Sequence, residues 1–315
     1  MTAKARDITE FLVGSTGFVG SNLTSQHEFT ESFSSCNISQ AFGKNPGLLV
    51  YAGVRSEMFT ANNYPEKDHQ HILGAIENIS RISPQRLVLI STIAVYPDSH
   101  GADEDTKIDA ELLTPYGQNR RELEKWAEEN FDDRLIVRLP ALFGLNLKKN
   151  FIYDFIHVIP AMLSEAKLRE LSQNAPELDG YYQLNENGLY KLRDITPEEE
   201  SKLKDIFRGL GFTAVNFTDS RSIYQFYPLK YLWSHIQTAL THGVKCLNLA
   251  TPPISAGEIF RFLTGRDFVN ELKRPPYSYD MRTKHYELFG GDKGYIMSRE
   301  QEFHEIKEFV RECSR

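Results

Sequence analysis

A short apolar run, a glycine-rich turn and the start of a helix follow one another in the segment EFLVGSTGFVGSNL. The run 11–13 has the length and composition of a buried strand. Gly14, Gly17 and Gly20 follow at GxxGxxG spacing, and a helical pattern begins at Phe18. Glycines let the backbone approach a pyrophosphate closely, and a helix start offers free N–H groups. The segment therefore predicts a dinucleotide-binding turn, and a plain strand-to-helix turn is the alternative. The residues expected to contact the dinucleotide are Gly14, Thr16, Gly17, Phe18, Val19 and Gly20.

The same alternation of strand and helix patterns continues along the chain. Helical patterns cover 65–82 and 115–131. Strands that alternate with helices predict a parallel, doubly wound sheet, so the expected fold class is α/β. The further continuous apolar runs that predict buried strands lie at 47–53, 86–92, 134–140 and 245–250.

The pattern changes after residue 150, which predicts a division of the chain. Residues 1–150 form the expected dinucleotide-binding domain, with a return segment at about 222–252, and 151–221 form an inserted subdomain. Within the insert, 159–174 predicts a helix and 181–192 predicts two strands around an Asn-Gly turn. Thr196, Pro197 and Glu199 form a capping box with proline at the first helical position. We expect the insert to act as a lid or a subunit contact.

Composition excludes several kinds of protein. The chain has 315 residues and a formal net charge of −7, and this acidic balance argues against nucleic acid as a partner. Cys36, Cys246 and Cys313 form no CxxC pair and have no histidine cluster beside them. Neither a disulfide framework nor a metal site is therefore expected. No secretory signal and no membrane-length apolar run is visible, so we expect a cytoplasmic protein without a membrane partner.

A hydroxyl, a phenol and a cation are spaced as in a proton-transfer site. Thr92 ends the predicted strand 86–92, and Tyr116 and Arg120 lie one helical turn apart on the predicted helix 115–131. An ordinary tyrosine pKa of about 10 makes the side chain a poor base at neutral pH. A positive charge nearby favours tyrosinate and lowers that pKa. Thr92, Tyr116 and Arg120 are therefore the predicted catalytic residues.

Seven segments in order resemble the extended short-chain dehydrogenases/reductases of the NAD-dependent epimerase/dehydratase type. The resemblance implies a Rossmann-type doubly wound sheet, NAD or NADP as cofactor, a sugar or sugar-nucleotide substrate and a homodimer. It also implies a smaller C-terminal α/β substrate-binding region at 253–315. Tyr116 falls on the catalytic tyrosine of the YxxxK helix and Arg120 on its lysine. The segments are GSTGFVG, YAGV, ISTIAVY, PYGQNRRELE, RLPALFG, LNLATPPISAGEI and YDMRTKHYELFG.

Further cofactor contacts are assigned from the place of each residue relative to the family pattern or to a predicted strand end. No acidic residue ends a clear second strand to hold an adenosine ribose, so NADP is at least as well suited as NAD. Arg55 lies just past a predicted strand end, where a cation can meet a phosphate or a carboxylate, although a surface role is equally compatible. The residues assigned to cofactor binding in addition to the glycine turn are Ser34, Ser35, Asn37, Ile38, Ala52, Gly53, Arg55, His71, Tyr116, Arg120 and Pro140.

Departures from the family pattern narrow the expected activity. Ile93 and Ala94 stand where 4,6-dehydratases carry Asp-Glu, which argues against water elimination. Tyr224 stands in place of a phosphate-binding arginine, with Arg221 close by. Arginine instead of lysine at position 120 keeps the charge but brings a bulkier, planar head group. Two hypotheses follow: an NAD(P)-dependent sugar oxidoreductase or epimerase, or a nucleotide-binding sensor or scaffold that has lost catalysis.

Overall fold

The computed structural model describes residues 8–313 and divides the chain into two compact units. The first unit comprises the chain up to Leu147, together with Ile223–Ile254 and Ser278–Glu305. The second comprises Lys148–Ser222, Ser255–Tyr277 and the segment from Ile306 onward. The predicted region 253–315 is thus split, because residues 278–305 pack with the first unit.

The secondary structure alternates as the apolar runs predict. The strands are β1 Glu10–Val13, β2 Glu31–Phe33, β3 Leu48–Tyr51, β4 Arg86–Thr92, β5 Arg134–Leu139, β6 Ala141–Phe143, β7 Met162–Leu163, β8 Tyr182–Leu184, β9 Tyr190–Leu192, β10 Ile223–Tyr224, β11 Phe226–Pro228, β12 Cys246–Asn248 and β13 Ile254–Ser255. The helices are α1 Phe18–Thr24, α2 Met58–Asn63, α3 Pro65–Ile82, α4 Pro115–Asn130, α5 Phe151–His157, α6 Glu165–Ser172, α7 Pro197–Gly209, α8 Leu232–Thr241, α9 Ala256–Thr264 and α10 Arg299–Cys313.

A parallel sheet with the strand order β12-β5-β4-β3-β1-β2 forms the centre of the first unit. Because both faces are covered, the inner strands β1, β3, β4 and β5 each contain a run of consecutive apolar residues. One face packs against Leu23 of α1 and Trp233 of α8, and the other against Ile72 of α3 and Leu123 of α4. The predicted α/β class, with its Rossmann-type doubly wound sheet, is confirmed.

The second unit has its own apolar core and a small antiparallel sheet. Strands β7, β9 and β8 pair in that order, and the predicted hairpin places Gln183 opposite Lys191. The capping box at Thr196 and Glu199 is present at the start of α7. Leu168 of α6 and Phe207 of α7 belong to the buried cluster of this unit.

The helix predicted over 159–174 is shorter than expected. Met162–Leu163 pairs with β9 as a strand, and α6 begins only at Glu165. Ser164 caps this start because its side chain accepts a hydrogen bond from the Lys167 N–H. Strand pairing and the cap therefore override the helical pattern of the preceding residues.

None of the helices within residues 8–313 is long and apolar enough to cross a membrane.

Candidate functional site

Two of the three glycines after β1 are required by the turn itself. Gly14 has a φ of +93°, and a Cβ there would lie 2.4 Å from the Ala52 carbonyl oxygen. A Cβ on Gly20 would lie 2.1 Å from the Gly14 carbonyl oxygen. Gly17 is exposed, and a Cβ there would meet only that same oxygen, at 3.2 Å. Gly17 therefore borders open space, which is the arrangement that a bound pyrophosphate needs.

The other predicted cofactor residues of this unit lie mostly at the carboxyl edge of the sheet. Because the strands are parallel, the residues that follow them share one edge. Ser34 follows β2, and the Ser34 backbone N–H donates a hydrogen bond to the Asn37 side-chain oxygen at 2.7 Å. Thr92 is the last residue of β4. The remaining edge residues are Ser35 beyond Ser34, Ile38 at the start of a 3-10 turn, Ala52 and Gly53 after β3, and Pro140 after β5.

Two further predicted cofactor residues are exposed to solvent. Arg55 is exposed in the loop between β3 and α2. His71 is exposed on α3. Their assignment to the cofactor stays a prediction.

Tyr116 and Arg120 form a buried pair on the first turns of α4. The Arg120 guanidinium carbon lies 4.4 Å from the centre of the Tyr116 ring. Both residues are about one-twentieth exposed, at 5% for Tyr116 and 4% for Arg120. Thr114 caps the helix, because its side chain accepts a hydrogen bond from the Gly117 N–H. The i, i+4 spacing therefore brings the phenol and the cation together as predicted.

The charge of Arg120 is neutralised by a carboxylate from the neighbouring helix. Its two terminal nitrogens donate to the two carboxylate oxygens of Asp68 at 2.8 and 2.9 Å. One of these nitrogens also donates to the Arg55 carbonyl oxygen at 2.6 Å. Asn119 donates to the same carboxylate at 2.9 Å. Arg120 is therefore a buried, ion-paired residue.

The net effect on Tyr116 is opposite to the sequence-based expectation. Burial raises the pKa of Tyr116, whereas the positive charge of Arg120 and hydrogen bonding to Arg120 and Thr92 lower it. The negative charge of Asp68 raises this pKa again, and the result lies above the ordinary value of 10.0. Arg120 acts in the predicted direction, but desolvation outweighs it. The Tyr116 side chain is therefore a protonated phenol at neutral pH.

Gly117 and Asn62 also position Tyr116, and sequence reasoning missed both. A Cβ on Gly117 would lie 2.3 Å from the Ala94 carbonyl oxygen, so glycine is needed where α4 approaches the turn after Thr92. The Tyr116 N–H donates to the side-chain oxygen of Asn62 at 3.1 Å. A glycine inside a helical pattern is a usable signal for such an approach. Asn62 and Asp68 lie more than fifty residues away and leave no local signal.

No family model and no curated protein matches the sequence. Solved structures do match over nearly the whole chain. A dTDP-4-dehydrorhamnose reductase from Bacillus anthracis in complex with NADP has a TM-score of 0.63 at 14% identity, covering 98% of this chain and 100% of that one. The chain has the fold of the extended short-chain dehydrogenases/reductases.

Two further solved structures share this fold. The Bordetella bronchiseptica enzyme WbmG in complex with NAD and UDP has a TM-score of 0.63 at 14% identity, covering 100% of this chain and 97% of that one. A UDP-glucose 4-epimerase from Thermotoga maritima with UDP-glucose has a TM-score of 0.59 at 11% identity, covering 97% and 99%. The resemblance to extended short-chain dehydrogenases/reductases is thus confirmed at the level of the fold.

In the second unit, Arg221 is committed to carboxylates. It binds Asp219 through two nitrogens at 3.0 and 2.8 Å and Glu271 through the third at 2.8 Å. These bonds hold the pKa of Asp219 well below its usual range. The suggestion that Arg221 replaces a phosphate-binding arginine therefore finds no support in these contacts.

Proposed function

We propose that this chain is an NAD(P)-dependent oxidoreductase that reduces a carbonyl group of a sugar linked to a nucleotide. The single observation that carries the proposal is the buried Tyr116 phenol, which packs against Arg120 where α4 approaches the turn after Thr92 at the carboxyl edge of the sheet. A proton donor beside a hydroxyl is what the reduction of a carbonyl requires. The named neighbours, a reductase with NADP and enzymes with UDP or UDP-glucose, support the cofactor and substrate classes.

The residues of the glycine turn fit a dinucleotide. A Cβ at Gly17 would enter the open side of the turn, whereas Gly14 and Gly20 face backbone. Ser34 and Asn37 follow β2, where the turn offers hydroxyl and amide groups but no carboxylate. The absence of a carboxylate at this point permits a 2′-phosphate as well as a free ribose hydroxyl. Either NAD or NADP is therefore compatible with the turn.

Bound NAD(P)H would supply a hydride to the carbonyl carbon of the substrate. Thr92 would hold the carbonyl oxygen through its hydroxyl, and Tyr116 would donate its phenolic proton to the alkoxide that forms. Arg120 would stabilise the resulting tyrosinate until a proton returns from solvent. Ile93 and Ala94 provide no acid or base next to Thr92, so elimination of water is not part of the proposed reaction.

Oxidation of NADPH or NADH tests this proposal. The expected result is loss of absorbance at 340 nm with a dTDP- or UDP-linked 4-keto sugar. Tyr116→Phe should lower kcat at least about 10²-fold, the usual contribution of a general acid. Binding of NADPH or NADH, followed by fluorescence, should weaken far less than kcat falls in this variant.

A second candidate is a nucleotide-binding sensor or scaffold without catalysis. The observation that favours it is the neutralisation of Arg120 by Asp68, because this pairing weakens the charge that would stabilise tyrosinate. Binding of NADPH or NADH without turnover of any dTDP- or UDP-linked 4-keto sugar would favour this candidate. Absence of dinucleotide binding would contradict both.

A further inference from the structure

Asp68 and Arg120 form a closed ion pair inside the first unit. Both side chains are 5% exposed, and they share two hydrogen bonds in a bidentate arrangement. Such pairs are strong and fix the plane of the guanidinium. The Arg55 carbonyl and the Asn119 amide complete the surroundings of the pair. Arg120 therefore has little freedom to turn away from the Tyr116 ring.

We propose that Asp68 is a positioning residue for Tyr116: its carboxylate fixes Arg120 against the phenol ring and offsets the positive charge that would otherwise favour tyrosinate. The role of this phenol as a proton donor rests on the function proposed above. Burial is the main cause that keeps the proton on Tyr116 and the Asp68 charge adds to it, while Arg120 stays close enough to stabilise the anion once the proton has left.

The groups that face this cluster come from three elements. Asp68 and His71 lie on α3, Arg120 on α4 and the Thr92 hydroxyl at the end of β4. Burial raises the pKa of Asp68, but the hydrogen bonds and charges of Arg120, Asn119 and His71 lower it below its usual range. Asp68 is therefore ionised at neutral pH, as the ion pair requires.

The test is the titration of Tyr116 in Asp68→Asn. This variant keeps the shape of the side chain but removes its charge, so the positive charge of Arg120 acts on the phenol without compensation. With 3-fluorotyrosine at position 116 alone, ¹⁹F NMR of the ligand-free chain should show a fall in the phenol pKa of about one unit or more. An unchanged or higher value would overturn the proposal.

A matched control lies on the same helix. Arg121 pairs with Glu124 and Glu128 rather than with the Asp68 cluster. Arg121→Met should leave the Tyr116 titration where it is in the parent chain. A shift equal to that of Asp68→Asn would mean that the loss of any charged side chain near Tyr116 changes its titration in the same way. That result would overturn the specific role of Asp68.

A second comparison covers the case in which Asp68→Asn does not fold. In Arg120→Met the Asp68 carboxylate acts alone on the phenol, and adding Asp68→Asn to that background removes both charges. The double variant should titrate at lower pH than Arg120→Met, and equal titration would contradict the proposal.

Turnover separates this inference from the proposed function. A shifted Tyr116 titration in a chain that reduces no sugar would contradict the proposed reaction and support the proposed role of Asp68. Sugar reduction with the same pH profile in the parent and in Asp68→Asn would support the reaction and contradict the role of Asp68.

Discussion

At the scale of single residues, the glycine turn contains two glycines that face backbone, Gly14 and Gly20, and one that borders open space, Gly17. Gly17→Val should abolish or strongly weaken binding of NADPH and NADH, because the side chain would enter the space next to the turn. The turn should survive, since a Cβ at this position meets one atom at 3.2 Å. Fluorescence titration measures the affinity, and thermal unfolding shows whether the fold is kept.

Gly20→Ala is the contrasting variant. Its Cβ would lie 2.1 Å from the Gly14 carbonyl oxygen and 2.7 Å from the Gly14 carbonyl carbon. Such crowding typically costs about 1–3 kcal/mol of stability and shifts the backbone. We expect Gly20→Ala to lower the free energy of unfolding measured with urea.

If Gly17→Val bound NADPH as tightly as the parent, the turn would not be the dinucleotide site.

At the scale of elements, one buried carboxylate ties helix α4 to the sheet. Glu124 accepts a hydrogen bond from Ser91 of β4 at 2.6 Å and two from Arg138 of β5 at 3.0 and 2.7 Å. Glu124 is 0% and Arg138 3% exposed. Glu124→Gln would leave the Arg138 charge buried without its partner, which should cost about 3–5 kcal/mol of unfolding free energy.

Urea denaturation of Glu124→Gln checks this value. Glu128→Gln is the control, because Glu128 lies on the same helix and pairs with Arg121 in a partly exposed position. It should change the unfolding free energy by less than about 1 kcal/mol. Equal losses in the two variants would mean that the Glu124 pair does not anchor α4.

The elements also show what sequence could predict. Helix α3 runs from Pro65 to Ile82, as its pattern predicts, and the β8–β9 hairpin forms around its Asn-Gly turn. Local periodicity, caps and turn residues determine these features. The pairing of Arg120 with Asp68 joins residues from two helices, and no local pattern encodes it. The spacing of Tyr116 and Arg120 was therefore predictable, whereas the net shift in the Tyr116 pKa was not.

At the scale of the whole molecule, stability should depend on pH through one buried acid. Glu302 on α10 is 0% exposed, and one of its carboxylate oxygens accepts a hydrogen bond from the Phe226 N–H at 2.8 Å. The other oxygen has no hydrogen-bond partner within residues 8–313. Burial raises the pKa of Glu302 well above its ordinary value, so the folded chain keeps this proton to a higher pH than the unfolded chain.

The sign of the effect follows from this difference. Below the pKa of an unfolded glutamate, about 4.3, both states hold the proton and Glu302 costs no stability through ionisation. As pH rises from there toward the folded pKa, only the unfolded chain loses its proton, which favours unfolding by up to about 1.4 kcal/mol per pH unit. The glutamine of Glu302→Gln cannot ionise. The unfolding free energy of this variant, measured with urea, should therefore rise relative to that of the parent as the pH increases from 5 to 8. Glu300→Gln, exposed on the same turn and with its pKa lowered by hydrogen bonds, should follow the pH dependence of the parent in this range, because Glu300 is ionised in both the folded and the unfolded chain above about pH 5. Parallel pH dependence in the parent and in Glu302→Gln would contradict a neutral Glu302 in the folded chain.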